Sequence, residues 1–289
     1  MVGSAQTAGS VAALDRYPVK SMMGEALNAV EVSKFGLLGD RAYAIRDISD
    51  GKIASAKNPR KWPDMFCFRA AFVDPPQSGA DVPPVRITLP DGAIVTSDQA
   101  DISQILSRAL SREVTFAAAT IMRPRGSIAN AEEYWADIEG LEHRDIVTDF
   151  ALPERTFFDT AIVHVLTTAT LDRLREAYPP GRFEARRFRP NIVVQTENGE
   201  KDFVENAWIG HTLEIGGEVR LSVTKPCSRC VMTTLPQGDL PRDLDILRTA
   251  VKHRSRWLPT PLLGLLSHRA QKNTFSREPQ GGMGVAVLV

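Results

Sequence analysis

The chain has 289 residues, 43% of them hydrophobic, which is enough to bury a substantial core in one large domain or two modest ones. Its 35 basic and 35 acidic residues cancel, so no global field draws nucleic acid or an anionic membrane, and any anion site has to be built locally. Three cysteines, an odd and low number, argue against a disulfide scaffold and fit a reducing compartment.

The first ten residues are small and polar, with no basic segment leading into an apolar run, so no signal peptide is expected. Short strands are expected at 11–16, 30–32, 42–46, 70–73, 85–89 and 93–96, from β-branched or alternating apolar residues. Gly36, Gly39, Asp50-Gly51, Pro75-Pro76, Pro83-Pro84 and Asp91-Gly92 punctuate them, and the last pair reads as a hairpin turn. Cys67 sits between Phe66 and Phe68 and is expected in the core, because a free cysteine packs like a small hydrophobe. A helix is expected at 97–110, capped by Ser97 or Asp98, with Ile102, Ile105, Leu106 and Leu110 on one face. The stretch 117–153 is mixed in composition and reads as a connecting region. A boundary near residue 120 divides the chain into 1–120 and 121–289.

The second half opens with a strand at 162–166 and a helix at 168–177, capped by Thr168 and stopped by Pro179-Pro180. Strands at 191–195, 212–215 and 219–224, a helix at 243–253 and a last strand at 284–289 follow. The longest apolar stretches, 161–166 and 261–266, are far shorter than the roughly 20 residues a membrane span needs. A soluble, cytoplasmic protein is expected. Many short strands with a few helices indicate an α+β, mainly β protein based on a barrel, not a parallel doubly wound sheet.

Three segments can carry chemistry. Cys227-Ser228-Arg229-Cys230 has the spacing of a zinc half-site, a dithiol switch, or a single reactive thiol with a bystander; two buried cysteines beside a loop is the plain alternative. Zinc lacks a second ligand pair. Lys225 and Arg229 flank the thiols, and such cations favour the thiolate, which is a nucleophile and a soft metal ligand. Arg186-Arg187-Phe188-Arg189-Pro190-Asn191 puts three arginines at the entrance to a strand, which suits a rigid bidentate grip on phosphate if it is not a solvated charge run. Tyr17-Pro18-Val19-Lys20-Ser21 and Gly36-Leu37-Leu38-Gly39-Asp40-Arg41 each place a cation at a strand end or turn. The phosphate-loop, dinucleotide-binding and serine-hydrolase signatures are missing from the sequence.

In chain order, these segments resemble the MOSC family in its two-part form, an N-terminal β-barrel domain followed by a MOSC domain, and within it the amidoxime-reducing branch. Also part of the resemblance are Ala56-Lys57-Asn58-Pro59-Arg60, Thr156-Phe157-Phe158-Asp159, Leu166-Thr167-Thr168-Ala169-Thr170-Leu171, Trp208-Ile209-Gly210 and Thr233-Thr234. The resemblance implies a MOSC barrel with an N-terminal barrel-like subdomain and a few peripheral helices. It implies a molybdenum cofactor held between the halves, with Cys230 as the metal ligand. Lys20, Ser21, Arg41, Thr167, Arg189, Asn191, Ser228 and Arg229 match cofactor-contacting positions. Pyridoxal phosphate, also associated with the family, is not expected here. The stretch 254–272 looks like an insertion relative to the family, open to reading as a lid, a partner surface or a packed extra helix, of which packing is the expectation.

The expected activity is reduction of a small N-hydroxylated compound, with electrons from a separate donor protein of ferredoxin, flavoprotein or cytochrome type. A persulfide-based sulfur carrier and a non-catalytic cofactor-binding protein are the alternatives. Glu205 is a candidate proton donor, against the plainer reading of an exposed loop glutamate.

Overall fold

The computed structural model describes residues 7–119, 129–141, 143–153, 157–199, 201–254 and 283–288. Strand β1 (Ser10–Arg16) pairs antiparallel with the short β2 (Glu25–Leu27), and on its other edge with a strand of the second half. Between β1 and β2 runs the loop that carries Lys20 and Ser21. Strands β3 (Val32–Ser33) and β4 (Gly36–Leu37) form a small hairpin, and β5 (Tyr43–Asp47) follows. Strands β6 (Arg69–Phe72), β7 (Val85–Thr88) and β8 (Ile94–Thr96) make a three-stranded meander. Its last turn uses Gly92 at φ 86°, the backbone state that the Asp91-Gly92 pair anticipates.

Helix α1 (Ile102–Ala109) starts later than the sequence suggests. Ser97 is not its cap; its hydroxyl accepts the Val85 N–H at 2.9 Å and closes the meander instead. Cys67 is exposed, a correction to its expected burial. The single 3-10 turn Met65–Cys67 sends Met65 and Phe66 into the core and leaves the third residue outside. Strand β9 (Val114–Ala118) pairs with β5.

The expected connecting region contains a regular hairpin, β10 (Asn130–Trp135) against β11 (Ile146–Ala151). Its acidic residues hide the strand pattern because their partners lie elsewhere in the chain. Lys52 bridges Glu132 and Asp149 at 2.7 Å each, and Lys57 meets Glu133 at 3.4 Å.

In the second half, β12 (Val163–Thr167) leads into α2 (Thr168–Ala177), with Thr167 and not Thr168 as the cap: its hydroxyl oxygen accepts the Thr170 N–H at 3.1 Å. The four-residue helix α3 (Ala185–Phe188) precedes β13 (Ile192–Gln195), and β14 (Thr212–Ile215) and β15 (Val219–Cys227) form an antiparallel pair. Helix α4 (Asp245–Arg254) and strand β16 (Met283–Leu288) complete the described chain. The main sheet has the order β14-β15-β16-β12-β13-β1-β2, parallel from β15 to β13 and antiparallel at both flanks. The expected α+β, mainly β fold holds, with four helices among the described residues. Pairing among the described strands follows open orders and does not close on itself.

The two halves are not independent in packing. β1 and β2 extend the sheet of the second half, and Val231, Leu235 and Leu247 sit in the same apolar core as Val19, Met22, Phe68 and Leu106. Strand β12 is buried along its length, with Val163 and Val165 in one core and Leu166 in another beneath α2. The stretch 123–126 and the expected insertion, from residue 255 on, lie outside the described residues.

Candidate functional site

Loops from both halves converge on one cleft of about 830 Å³ including its mouth. Lys20 and Ser21 enter from the β1–β2 loop, Arg41 from the turn before β5, and Lys57 from the segment after β5. Phe157 to Ala161 line it before β12, Arg189 after α3, and Cys227 to Cys230 at the end of β15. Among the described residues, five that are not glycine have positive φ, and three of them are Ser21 (64°), Arg41 (49°) and Arg189 (54°). A left-handed backbone at such residues costs on the order of 1 kcal/mol each, so its concentration around one cleft marks a shape held by the surrounding packing.

Each cation is anchored. Lys20 Nζ donates to the Phe157 carbonyl at 2.9 Å and is ion-paired with Asp159; burial pulls its pKa down while Asp159 opposes. Lys57 lies 3.4 Å from Asp159 and 3.4 Å from Glu133, with its ammonium 4.6 Å from the centre of the Phe150 ring. Burial works against its charge, and these two acids outweigh it and hold the ammonium above the ordinary lysine range. Arg41 pairs with Asp40 and stands over Tyr17. Arg189 donates to the Met22 carbonyl at 2.7 Å and stacks 4.0 Å from the Tyr17 ring centre. Burial lowers its pKa to about 10, which leaves it charged at neutral pH. Asp159 is the acid facing these cations; burial pushes it up, but Lys20 and Lys57 prevail and hold it well below the usual carboxylate range.

The arginine run does not enter the strand as a unit. Arg189 takes a left-handed conformation after α3, so the three guanidiniums diverge. Arg186 pairs at the surface with Glu184 and Asp239. Arg187 is 1% exposed and donates to the carbonyls of Arg182, Thr233, Leu235 and Pro241 at 2.8–3.2 Å. It holds the chain that follows Cys230, so its guanidinium is committed to backbone and not to a phosphate.

Both thiols of the C-x-x-C segment are free. The Arg229 guanidinium contacts Cys227 Sγ and donates to the carbonyls of Cys227 at 3.0 Å and Phe188 at 3.2 Å. Cys230 is held from behind: the Thr233 N–H and hydroxyl donate to its carbonyl at 3.2 and 3.0 Å, and Val231 is anchored in the core. Burial pushes the Cys230 thiol up to about 11, against the opposing pull of Lys57 and Arg229. The expectation that flanking cations keep it ionised is therefore corrected, because Lys225 is exposed and burial prevails. A coordinated metal would displace that proton.

Lys20, Ser21, Arg41, Arg189, Ser228, Arg229 and Cys230 line the cleft. Thr167 and Asn191 are buried and stand behind it. The Asn191 amide donates to Asp40 at 2.9 Å and accepts the His164 N–H at 3.1 Å, which ties the halves together. The Thr167 hydroxyl donates to Glu205 at 2.6 Å. Glu205 is fully buried, not an exposed loop residue, and it also accepts from the Thr170 hydroxyl at 2.8 Å. Burial raises its pKa to about 7, with these threonines opposing. It is not among the cleft-lining residues.

Lys57, Asp159 and His164 also line the cleft, without having been singled out by role in the sequence. Lys57 and Asp159 lie inside motifs of the family resemblance. His164 is masked by its apolar strand, and only its polarity within Val163-His164-Val165-Leu166 marks it. Its ring is 8% exposed, with Nδ1 3.4 Å from the Arg189 carbonyl oxygen. Burial and the nearby Arg229 hold its pKa well below the ordinary histidine value. Its Nε2 has no hydrogen-bond partner.

Among the described residues, no three or more His, Cys, Asp or Glu side chains are grouped to hold a metal between them. None of the helices is long and apolar enough to cross a membrane, again among the described residues. Compared with protein-family models, residues 8–119 match the MOSC N-terminal beta barrel domain and residues 153–270 match the MOSC domain. A search of the curated proteins finds no match.

Proposed function

Because the chain belongs to the MOSC family, and carries both the MOSC N-terminal beta barrel domain and the MOSC domain, we propose that its cleft binds a molybdenum cofactor and serves the reduction of small N-hydroxylated compounds. The observation that carries this reading is a pair of free thiols among cations: Cys230, with Cys227 near it, shares the cleft with Lys20, Arg41, Lys57, Arg189 and Arg229, against Asp159 as their acidic neighbour. A phosphate-bearing pterin with a thiolate-seeking metal fits that set. The positive wall compensates the anion, Cys230 offers sulfur, and the unpartnered His164 Nε2 awaits a hydrogen bond.

The cofactor, when bound, supplies the two-electron reduction of the N–O bond. The chain's own residues bind and orient. Cys230 anchors the metal as thiolate. Arg41 and Arg189, fixed by Asp40 and by the Met22 carbonyl and stacked on the Tyr17 ring, would offer guanidinium N–H groups to the anionic part. Phe157 and Phe158 give the cleft an apolar side that limits water. Glu205 lies outside the cleft lining, so no proton-donor role is assigned to it.

In this reading the electrons come from a donor protein of ferredoxin, flavoprotein or cytochrome type. The sulfur-carrier reading has less support: burial keeps the Cys230 thiol protonated at neutral pH when no metal is bound.

The test uses protein from a cofactor-competent host, wild type beside Cys230→Ala. Molybdenum and pterin are expected in the wild type, with molybdenum lost in the variant, and benzamidoxime turnover is expected with an artificial reductant but not with NAD(P)H alone. Equal molybdenum in both proteins removes the ligand role. Turnover with NAD(P)H alone removes the separate donor.

A further inference from the structure

The cleft lining is rich in hydrogen-bond donors and poor in free acceptors. Lys20, Arg41, Lys57, Arg189 and Arg229 can only donate. Asp159 can accept, but its oxygens are engaged by Lys20 and Lys57. The hydroxyls of Ser21, Thr160 and Ser228 can both donate and accept, and His164 adds a ring nitrogen. Its backbone is locked on both sides by Asn191, whose side-chain oxygen accepts the His164 N–H at 3.1 Å and whose N–H donates to the His164 carbonyl at 2.8 Å. Its Nδ1 faces the Arg189 carbonyl at 3.4 Å, and a carbonyl can only accept. The ring proton therefore belongs on Nδ1, and Nε2 carries a lone pair.

Nε2 lies on the far side of the ring from that carbonyl, in a residue that lines the cleft, buried and without a partner. A buried acceptor left unpaired is unfavourable in the empty protein, and a bound molecule that offers a donor relieves it. A second proton on the ring is opposed first by burial and then by the positive neighbours Arg229 and Arg41, which outweigh the backbone carbonyls of Arg189 and Phe188 that favour it. The ring is thus kept neutral.

We propose that His164 Nε2 accepts a hydrogen bond from an N–H of the pterin ring system, so that the cleft selects a ligand that is anionic and also presents a donor. This inference rests on the cofactor-binding reading above and adds to it a reading of the ring. The Asn191 link gives it precision, because the strand that carries His164 is joined through Asn191 to Asp40 and so to Arg41.

The test compares wild type, His164→Leu, His164→Gln and Cys230→Ala. The leucine keeps bulk but accepts nothing, whereas the glutamine side-chain oxygen can stand near the Nε2 position. Thermal unfolding of each cofactor-free chain reports whether it folds. Ring-nitrogen NMR of the cofactor-free wild type should show a protonated Nδ1 and a bare Nε2, and loading should move the Nε2 resonance to that of a hydrogen-bonded acceptor. His164→Leu should release pterin about tenfold faster on dilution, the worth of one hydrogen bond of about 1.4 kcal/mol, and His164→Gln should recover part of the loss. An unmoved Nε2 resonance, a protonated Nε2 in the empty chain, or equal pterin release from folded His164→Leu overturns the inference. So does a raised KM for benzamidoxime with unchanged pterin retention, which assigns the donor to the substrate. If Cys230→Ala meanwhile loses molybdenum, the parent reading stands. Wild type that takes up neither molybdenum nor pterin overturns both.

Discussion

Asn191 and Asp40, 151 positions apart in the chain, share a buried hydrogen bond of 2.9 Å. Asp40 also accepts the Tyr17 N–H at 2.8 Å and pairs with Arg41, while Asn191 accepts the His164 N–H at 3.1 Å. One amide and one carboxylate therefore set how Arg41, from the first half, stands relative to His164 and Arg189, from the second.

Asn191→Ala is expected to lower unfolding stability by about 3 kcal/mol, because the Asp40 carboxylate and the His164 N–H both lose a buried partner at about 1–3 kcal/mol each. Urea unfolding of the cofactor-free chain measures it. A loss within error would mean that water replaces the amide and that the two halves are tied elsewhere.

Arg187 and Arg186 are neighbours with opposite expected costs. Arg187→Met strips four backbone carbonyls of their donor and should cost at least about 3 kcal/mol, since hydrogen bonds to charged groups contribute about 1.5–3 kcal/mol each. Arg186→Ala removes partly exposed ion pairs and should stay within about 1 kcal/mol of wild type. Equal losses in guanidinium unfolding would contradict the division of roles within the arginine run.

Glu205 gives the fold a pH dependence. Its pKa is raised to about 7 in the folded protein from an ordinary 4.5, so the folded state holds this proton more tightly than the unfolded state. The stability it contributes is complete below pH 4.5 and is lost as pH rises through about 7. The change across that window is about 3 kcal/mol at one pKa unit per 1.36 kcal/mol. Glu205→Gln should flatten this part of the Tm-versus-pH curve, and a variant whose curve parallels wild type would refute the assignment.

Cys227→Ala should keep molybdenum, unlike Cys230→Ala. Cys227 is contacted by the Arg229 guanidinium, and Arg229 retains its carbonyl partners on Phe188 and Cys227 without the sulfur. Loss of metal in both variants would make the pair, and not Cys230 alone, the ligand.

Local patterns placed many elements well. The helix at 168–177 and the strand at 212–215 were legible to the residue, because periodicity, a threonine cap region and a Pro-Pro stop all act over short distances. The β10–β11 hairpin was not legible. Glu132, Glu133 and Asp149 look like loop residues until Lys52 and Lys57, distant in sequence, neutralise them. Lys20, Ser21, Arg41, Arg189, Ser228, Arg229 and Cys230 were singled out by chemistry and resemblance, and they share the cleft. Thr167 and Asn191 were singled out on the same ground and stand behind it.

The sequence by itself determined which groups are available: three thiols, a run of arginines, a lysine before a serine, and the alternation that makes this a mainly β protein. Only the tertiary structure decided what each group is. It exposed Cys67, committed Arg187 to backbone carbonyls, buried Glu205 beneath two threonines and left His164 Nε2 without a partner. The physical reason is that protonation and pairing depend on desolvation and on the nearest charges, and both are set by segments that come together only when the chain folds.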